Sequence, residues 1–319
     1  MKRLKTAIKG FGFGLPVAFL LAIGGIYFYL PYLVAEVRNP LAGYYNSGLE
    51  RVKKPAFTAF GIQNAGTFHV QVNDSIRLAA YVVPAVGREC GTIVALHGYR
   101  SDKNRFLPVA AYFSQNGWNF IALDLRAHNG SSGRYTGFSY FERRDTDAFL
   151  DSLASRGLIR RPLVLYGHSI GAATAVFTAA RRNDIDGLVL ESCFDDFARL
   201  IPNYLDFYLG GEVPASEFLA RDLFGRLHIP LDSLRPVTVA SQIHIPVLQV
   251  QGAADAKVKP AQARRLFDHL ASPQKQWMLV PGGTHNRLWL PDTTTYFDRL
   301  NAFLTSAFPK HPAPAAEPQ

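Results

Sequence analysis

The stretch Leu163 to Ala180 restricts the fold more than any other. Leu163, Val164, Leu165 and Tyr166 suit a buried strand. They run into Gly167, His168, Ser169, Ile170 and Gly171, and the alanine-rich helical pattern beyond meets no proline until Pro202. This reads as a strand, a tight turn and a helix with a serine at the apex. A serine exposed there sits on a strained backbone, and the two glycines lack the Cβ atoms that would collide with it or with the packed strand. Ser169 is therefore the candidate nucleophile.

Such a turn needs a sheet beneath it, and the chain supplies one. From Gly91 onward short apolar runs alternate with helical patterns: strand Thr92 to Leu96, helix Phe106 to Gln115, strand Phe120 to Leu123, helix Tyr140 to Leu153. After the serine turn come the runs Leu188 to Leu190, Val247 to Val250 and Met278 to Val280, with helices through Leu266 and toward Phe308. This alternation implies parallel strands covered by helices on both faces, with a ligand site beyond the carboxyl ends of the strands. Upstream, Phe68 to Val72 and Ile76 to Val83 flank Asn73 and Asp74, a hairpin signal that turns Ile76, Leu78, Ala80 and Val82 toward the core. Phe194 to Gln242 interrupts the alternation with an aromatic-rich segment too long for a bare loop, so a helical cap over the site is expected at about residues 194–242.

A serine hydroxyl at neutral pH needs a base to take its proton, and the base needs a third group to hold its tautomer. His285, in a loop after Met278 to Val280, is the candidate base. Asp255, just beyond Val247 to Val250, is the candidate acid in the chain order serine, acid, histidine. Asp195, beyond the run that ends near Glu191, is the alternative acid. Two backbone donors are expected for the oxyanion: the N–H of Ile170, opening the helix after the nucleophile, and the N–H of Tyr99, in the loop after Thr92 to Leu96. His97, His128 and His168 read as structural members of their loops.

Five segments in this order resemble the α/β-hydrolase family, especially its serine aminopeptidase-like and monoglyceride-lipase-like branch. They are Leu96 to Tyr99, Asp124 to Gly133, Gly167 to Gly171, Gly252 to Val258 and Gly283 to Asn286. Ala127 and Asn129 stand where the family often has glycines. The resemblance runs from about Thr92 to Phe308 and implies an α/β class fold: a mostly parallel sheet flanked by helices, with a helical cap insert. It further implies Ser169, Asp255 and His285 as the triad and Tyr99 and Ile170 as oxyanion donors. The implied activity is a carboxylesterase- or lipase-like serine hydrolase that takes a small-molecule acyl or ester substrate and forms an acyl-serine intermediate. A peptidase or amidase on the same triad is the first alternative, and a non-catalytic, membrane-tethered binding module the second. No cofactor or metal is expected, since there is no His-Glu-X-X-His and the histidines are dispersed.

The N-terminal part has a different character. Gly10 to Ala35 contains no charged side chain and exceeds the roughly 20 residues that span a bilayer core as a helix. Lys2, Arg3, Lys5 and Lys9 favour a cytoplasmic N terminus, and Tyr27, Tyr29 and Tyr32 suit the opposite interface. The competing reading is a cleaved signal peptide, whose apolar region is usually only about 7–15 residues. The expected organisation is a basic end and single-pass anchor over residues 1–36, a tether over 37–65, the hydrolase domain over 66–308, and a disordered tail over 309–319. The domain would then lie outside the cytoplasm, in the periplasm of a bacterium. From Glu36 onward 30 basic side chains face 25 acidic ones, scattered without the basic stripe that a nucleic-acid partner requires. Cys90 and Cys193 fall at opposite ends of parallel strands. A five-residue strand spans about 17 Å and bridged Cα atoms lie within roughly 7 Å, so no disulfide joins them.

Overall fold

The computed structural model describes residues 24–25, 27–32, 34–37, 57–211, 216–289 and 292–309. The expected anchor lies mostly outside these residues, as do positions 38–56 of the tether and 310–319 of the tail. Among the described residues no helix is long and apolar enough to cross a membrane.

The strands are β1 (Gly66–Asn73), β2 (Ile76–Val83), β3 (Gly91–Leu96), β4 (Trp118–Asp124), β5 (Leu163–His168), β6 (Gly187–Glu191), β7 (Val247–Gly252) and β8 (Lys275–Val280). They form one sheet in the order β1-β2-β4-β3-β5-β6-β7-β8. β1 pairs antiparallel with β2, and β2 antiparallel with β4; every pairing from β4 through β8 is parallel. The hairpin turn is closed by Asn73, whose Oδ1 accepts the N–H groups of Ser75 and Ile76, both at 3.0 Å. β5 lies at the centre, between β3 and β6, with all six residues buried. That is why Leu163 to Tyr166 read as a continuous apolar run rather than an alternating one.

The helices are α1 (Leu107–Gln115), α2 (Glu142–Ser155), α3 (Ile170–Ala179), α4 (Phe197–Leu209), α5 (Ser216–Arg226), α6 (Pro260–His269) and α7 (Thr293–Ala307). α2, α3 and α6 cover one face of the sheet, packing Leu150, Val176 and Leu266 against Val94, Leu165 and Leu188. α1 and α7 cover the other, packing Phe113 and Leu300 against Ile93, Val164 and Val189. Leu165 is fully buried, and truncating such a leucine to alanine costs about 2–5 kcal/mol. β2 departs from the expected single-face pattern. Ile76, Leu78 and Ala80 join the first core, while Tyr81 and Val83 join the second. With β1 outside it and core on both sides, β2 leaves only Arg77 exposed. β8 begins at Lys275, earlier than the apolar run suggested, because an edge strand buries only one side of residues 275–280.

The interruption between β6 and β7 folds as α4, α5 and three short 3-10 turns over residues 231–242. Asp196 caps α4 by accepting the Ala198 N–H at 2.9 Å, and Gly210 ends it in the left-handed conformation. Phe197 and Phe224 turn inward and continue the first core from above. Cys90 precedes β3, Cys193 follows β6, and both thiols are free.

Candidate active site

The turn between β5 and α3 holds Ser169 at φ 54°, ψ −116°, a conformation that strains a residue with a side chain and persists only where the surroundings enforce it. Several contacts do so here. The Ser169 N–H donates to the Glu191 carbonyl at the end of β6, at 2.9 Å. A Cβ on Gly167 would lie 2.5 Å from the Ala172 nitrogen, and one on Gly171 would lie 2.5 Å from the Leu96 carbonyl carbon and 2.6 Å from the His97 oxygen. Both glycines are therefore required by close approach: the first lets the helix fold back on the strand, and the second lets it abut the end of β3.

Two loops on the same edge bring side chains to this serine. The loop after β7 carries Asp255 and the loop after β8 carries His285, and the two are tied where the Ala254 N–H donates to the Gly283 carbonyl at 2.9 Å. His285 Nδ1 donates to Asp255 Oδ2 at 2.9 Å, and the Ser169 hydroxyl faces His285 Nε2 at 3.1 Å. Asp255 Oδ1 also accepts the backbone N–H groups of Lys257 at 3.0 Å and Val258 at 2.9 Å. Burial alone would raise the Asp255 pKa, but the hydrogen bond and charge of His285, with the Val258 N–H, outweigh it and hold the carboxyl below its usual value. The acid thus stays ionised, and its partner keeps Nε2 free to accept a proton. Asp195, the alternative acid, turns away and pairs with Arg265 at 2.7 Å and Arg199 at 3.4 Å.

The other loop histidines bind backbone. His97 Nε2 accepts the Leu125 N–H at 3.0 Å and its Nδ1 meets the Gly98 carbonyl at 2.7 Å. His128 Nε2 accepts the Arg100 N–H at 3.2 Å and its Nδ1 meets the Arg126 carbonyl at 2.7 Å. Burial lowers their pKa values to about 4 and about 3, so both rings are neutral at pH 7. Together they join the loop carrying Tyr99 to the loop after β4. That second loop is pinned by buried Asp124, which accepts the N–H groups of Lys103 at 2.8 Å and Gly130 at 2.9 Å and pairs with the Lys103 ammonium. Ala127 and Asn129 adopt φ values of 64° and 36°, so these two positions keep a glycine-like backbone without being glycines. Gly98 packs so closely that a Cβ would meet the His168 ring and the Ser169 Cβ, which sets the Tyr99 loop beside Ser169. Ile170 opens α3, and its N–H belongs to the first turn, where helix donors have no intrahelical acceptor.

Several residues around the site carry roles that the sequence pattern did not disclose. His168 Nε2 donates to the His285 carbonyl at 2.8 Å, and burial, reinforced by Arg105, keeps its imidazole neutral. Arg105 reaches the next carbonyl, that of Asn286, at 3.4 Å, and pairs with buried Glu191 at 3.5 Å. Glu191 in turn accepts the hydroxyls of Tyr166 and Tyr296. Gln251 closes the acid loop by donating to the Val258 carbonyl at 2.9 Å and to Asp255 Oδ2 at 3.2 Å. From the cap, the Tyr204 ring stands edge-on to His285 with centroids 6.4 Å apart, its hydroxyl within reach of the Ser169 side chain. Lys257, two residues beyond Asp255, donates to the Tyr208 hydroxyl at 3.0 Å and sits over the Tyr204 and Phe207 rings at 5.4 and 4.9 Å. The site is buried: Ser169 is 2% exposed and His285 7%. A glycine-serine motif has a recognisable spacing, whereas contacts between Lys257 and the aromatic rings of the cap have none. Among the described residues no group of three His, Cys, Asp or Glu side chains is arranged to hold a metal.

Comparison with known proteins agrees with this architecture. Residues 87–208 match the family model described as serine aminopeptidase, S33. The chain is 24% identical over 268 residues to YqkD of Bacillus subtilis (strain 168), covering 80% of each protein. It is 24% identical over 260 residues to a monoacylglycerol lipase of Mycolicibacterium smegmatis, covering 68% of this chain and 88% of the lipase. Among solved structures it is similar to the Pyrococcus furiosus esterase Pf2001, with a TM-score of 0.66 at 19% identity over 81% of this chain and 96% of the esterase. The parallel sheet, its antiparallel leading hairpin and the serine turn at the head of α3 are those of the α/β-hydrolase fold, and this chain adopts it.

Proposed function

We propose that the protein is a serine hydrolase that cleaves a carboxylic ester, or a related acyl bond, through an acyl-Ser169 intermediate. The observation that carries this reading is the hydrogen-bonded chain from Asp255 through His285 to Ser169. His285 Nε2 takes the Ser169 proton as Oγ attacks the substrate carbonyl, and Asp255 stabilises the imidazolium that forms. The N–H groups of Tyr99 and Ile170 receive the oxyanion. His285 then protonates the departing alkoxide, and on deacylation it draws a proton from water, releasing the acid and restoring the serine. The likeness to a monoacylglycerol lipase and an esterase supports an ester as substrate, and the apolar cap favours an acyl or aromatic group. The family model's description favours a second reading, a peptidase or amidase acting through the same groups.

The uncharged stretch that begins at Gly10, with Lys2, Arg3, Lys5 and Lys9 before it, supports a single-pass anchor with a cytoplasmic N terminus and an extracytoplasmic catalytic domain; protease accessibility on intact cells tests that orientation. The central test is fluorophosphonate labelling together with rates across a panel of esters and amides. Wild type is expected to be labelled and to hydrolyse esters, and Ser169→Ala to do neither. Labelling that persists in Ser169→Ala refutes the nucleophile assignment. A wild-type preference for amides supports the second reading, and no labelling at all points to a non-catalytic module.

A further inference from the structure

Residues 27–32 and 34–37, which precede the domain, are gripped at two places that both bear on the site. At one end is the cap. The Tyr27 hydroxyl donates to Asp222 at 2.7 Å, and Arg226 pairs with Asp222 at 2.9 Å while its guanidinium lies 3.8 Å above the Tyr27 ring. Arg226 Nη1 also donates to the Tyr27 carbonyl at 3.3 Å. Both Asp222 and Arg226 belong to α5.

At the other end the segment meets the domain body. Ala35 is fully buried and its carbonyl accepts the Thr136 N–H at 3.0 Å. Glu36 bridges to Tyr135 in antiparallel fashion and pairs with Arg134 at 2.9 Å. The Val34 carbonyl accepts the Tyr99 hydroxyl at 2.5 Å. The Tyr99 ring then stacks on Phe138 at 5.3 Å, and Phe138 packs on Phe197 and Phe224 of the cap at 5.3 and 5.2 Å. Segment, Tyr99 loop and cap therefore close into a ring of contacts.

From this ring we infer that residues 27–32 and 34–37 act as a positioning strap: they set the Tyr99 amide for the oxyanion at one end and hold the cap at the other. The inference rests on the function proposed above. An oxyanion donor must meet the developing charge within a few tenths of an ångström to be useful. The Tyr99 amide lies in a loop, and its side-chain hydroxyl fixes that loop to the main chain of the strap. The hydroxyl and the amide share one residue, so a shift of the ring is felt at the donor. Tyr27 and Val34 lie within the apolar run from Gly10 to Ala35, so cleavage after Ala35 would remove their contacts to Asp222 and Tyr99 and leave the Glu36 pair with Arg134.

The test uses the full-length chain and two substitutions that spare Ser169, Asp255 and His285. Tyr99→Phe keeps the ring and its stacking but removes the bond to Val34. Its kcat on a p-nitrophenyl ester is expected to fall about tenfold with KM within twofold, a fraction of the roughly 10²- to 10³-fold loss that follows deletion of an oxyanion donor. Affinity for a trifluoromethyl ketone, which forms a tetrahedral adduct with the serine, should fall by the same factor. A merely structural contact would lower the melting temperature without changing that affinity, and that result overturns the oxyanion half of the proposal. Arg226→Ala frees the cap end and is expected to raise KM at least threefold with kcat retained; an unchanged KM overturns the cap half. Wild-type turnover and its loss in Ser169→Ala judge the hydrolase reading separately, so a wild type that is active and equalled by Tyr99→Phe refutes the strap alone.

Discussion

Gly171→Ala is the sharpest test of how the fold builds the site. A Cβ at this position would stand 2.5 Å from the Leu96 carbonyl carbon, 2.6 Å from the His97 oxygen and closer still to the Leu96 oxygen. All three atoms are backbone at the end of β3, where the Tyr99 loop begins, so none can swing aside as a side chain would. Bringing the Leu96 carbon alone to 3.0 Å demands a retreat of about 0.5 Å, and its oxygen must move further. The first turn of α3 and the Tyr99 loop must therefore separate, which widens the gap between the Ile170 and Tyr99 amides. Overpacking of this kind costs about 1–3 kcal/mol, which at roughly 2–4 °C per kcal/mol lowers the melting temperature by about 2–12 °C. A displacement approaching 1 Å in a catalytic group costs on the order of 10²-fold in rate, so kcat/KM on an activated ester should fall by roughly 30- to 100-fold. Gly225→Ala is the control: it lies in α5 with no atom within 4 Å of the added carbon, and helix propensity makes it neutral or stabilising by about 0.5–1 kcal/mol. Steady-state kinetics and calorimetry on both variants decide the matter. Folded Gly171→Ala with wild-type kcat/KM would refute the claim that this contact spaces the oxyanion donors.

Two further outcomes follow from the same geometry. Asp255→Asn removes the acceptor that orients His285, and kcat should drop roughly 10³- to 10⁴-fold, while Asp195→Asn, whose partners are Arg265 and Arg199, should stay within about threefold; stopped assays on the two purified variants compare them directly, and equal losses would unseat Asp255. Stability should fall as the solution is acidified below about pH 6.5. The buried His97 ring has its folded-state pKa depressed to about 4, so the unfolded chain binds the extra proton first; the stability linked to this ring is complete above pH 6.5 and is lost progressively toward pH 4. At pH 5.5 the loss from His97 is about 1.4 kcal/mol, visible as a lower calorimetric midpoint than at pH 7.5, and an unchanged midpoint would contradict a neutral buried ring.

Much of this was legible in the residues because the relevant forces are local. Gly167 and Gly171 declare a tight approach at a fixed spacing from Ser169, and an apolar run such as Leu163 to Tyr166 declares a strand buried on both faces. The same logic fails where burial is one-sided or shared. Lys275 and Gln276 belong to β8 yet look polar because an edge strand buries only one side, and Tyr81 and Val83 of β2 gain a second core only because helices lie on both faces of the sheet. Asp195 and Asp255 each follow a strand, and chain order put Asp255 first with Asp195 as the alternative; the structure sets Asp255 at 2.9 Å from His285 and gives Asp195 to arginines.

By itself the sequence determined the order of strands and helices, the strained turn at Ser169, and a set of polar residues at the carboxyl ends of strands, because hydrophobic period, glycine sterics and chain order are written residue by residue. Only the tertiary structure decided which of those groups meet. Hydrogen bonds from His168 to the His285 carbonyl, from Gln251 across the acid loop, and from Tyr99 to Val34 join positions 117, 7 and 65 residues apart, and no local pattern encodes them. Such contacts arise because the packed sheet brings the loop ends to one edge and excludes water there, leaving each buried donor to find an acceptor within the protein.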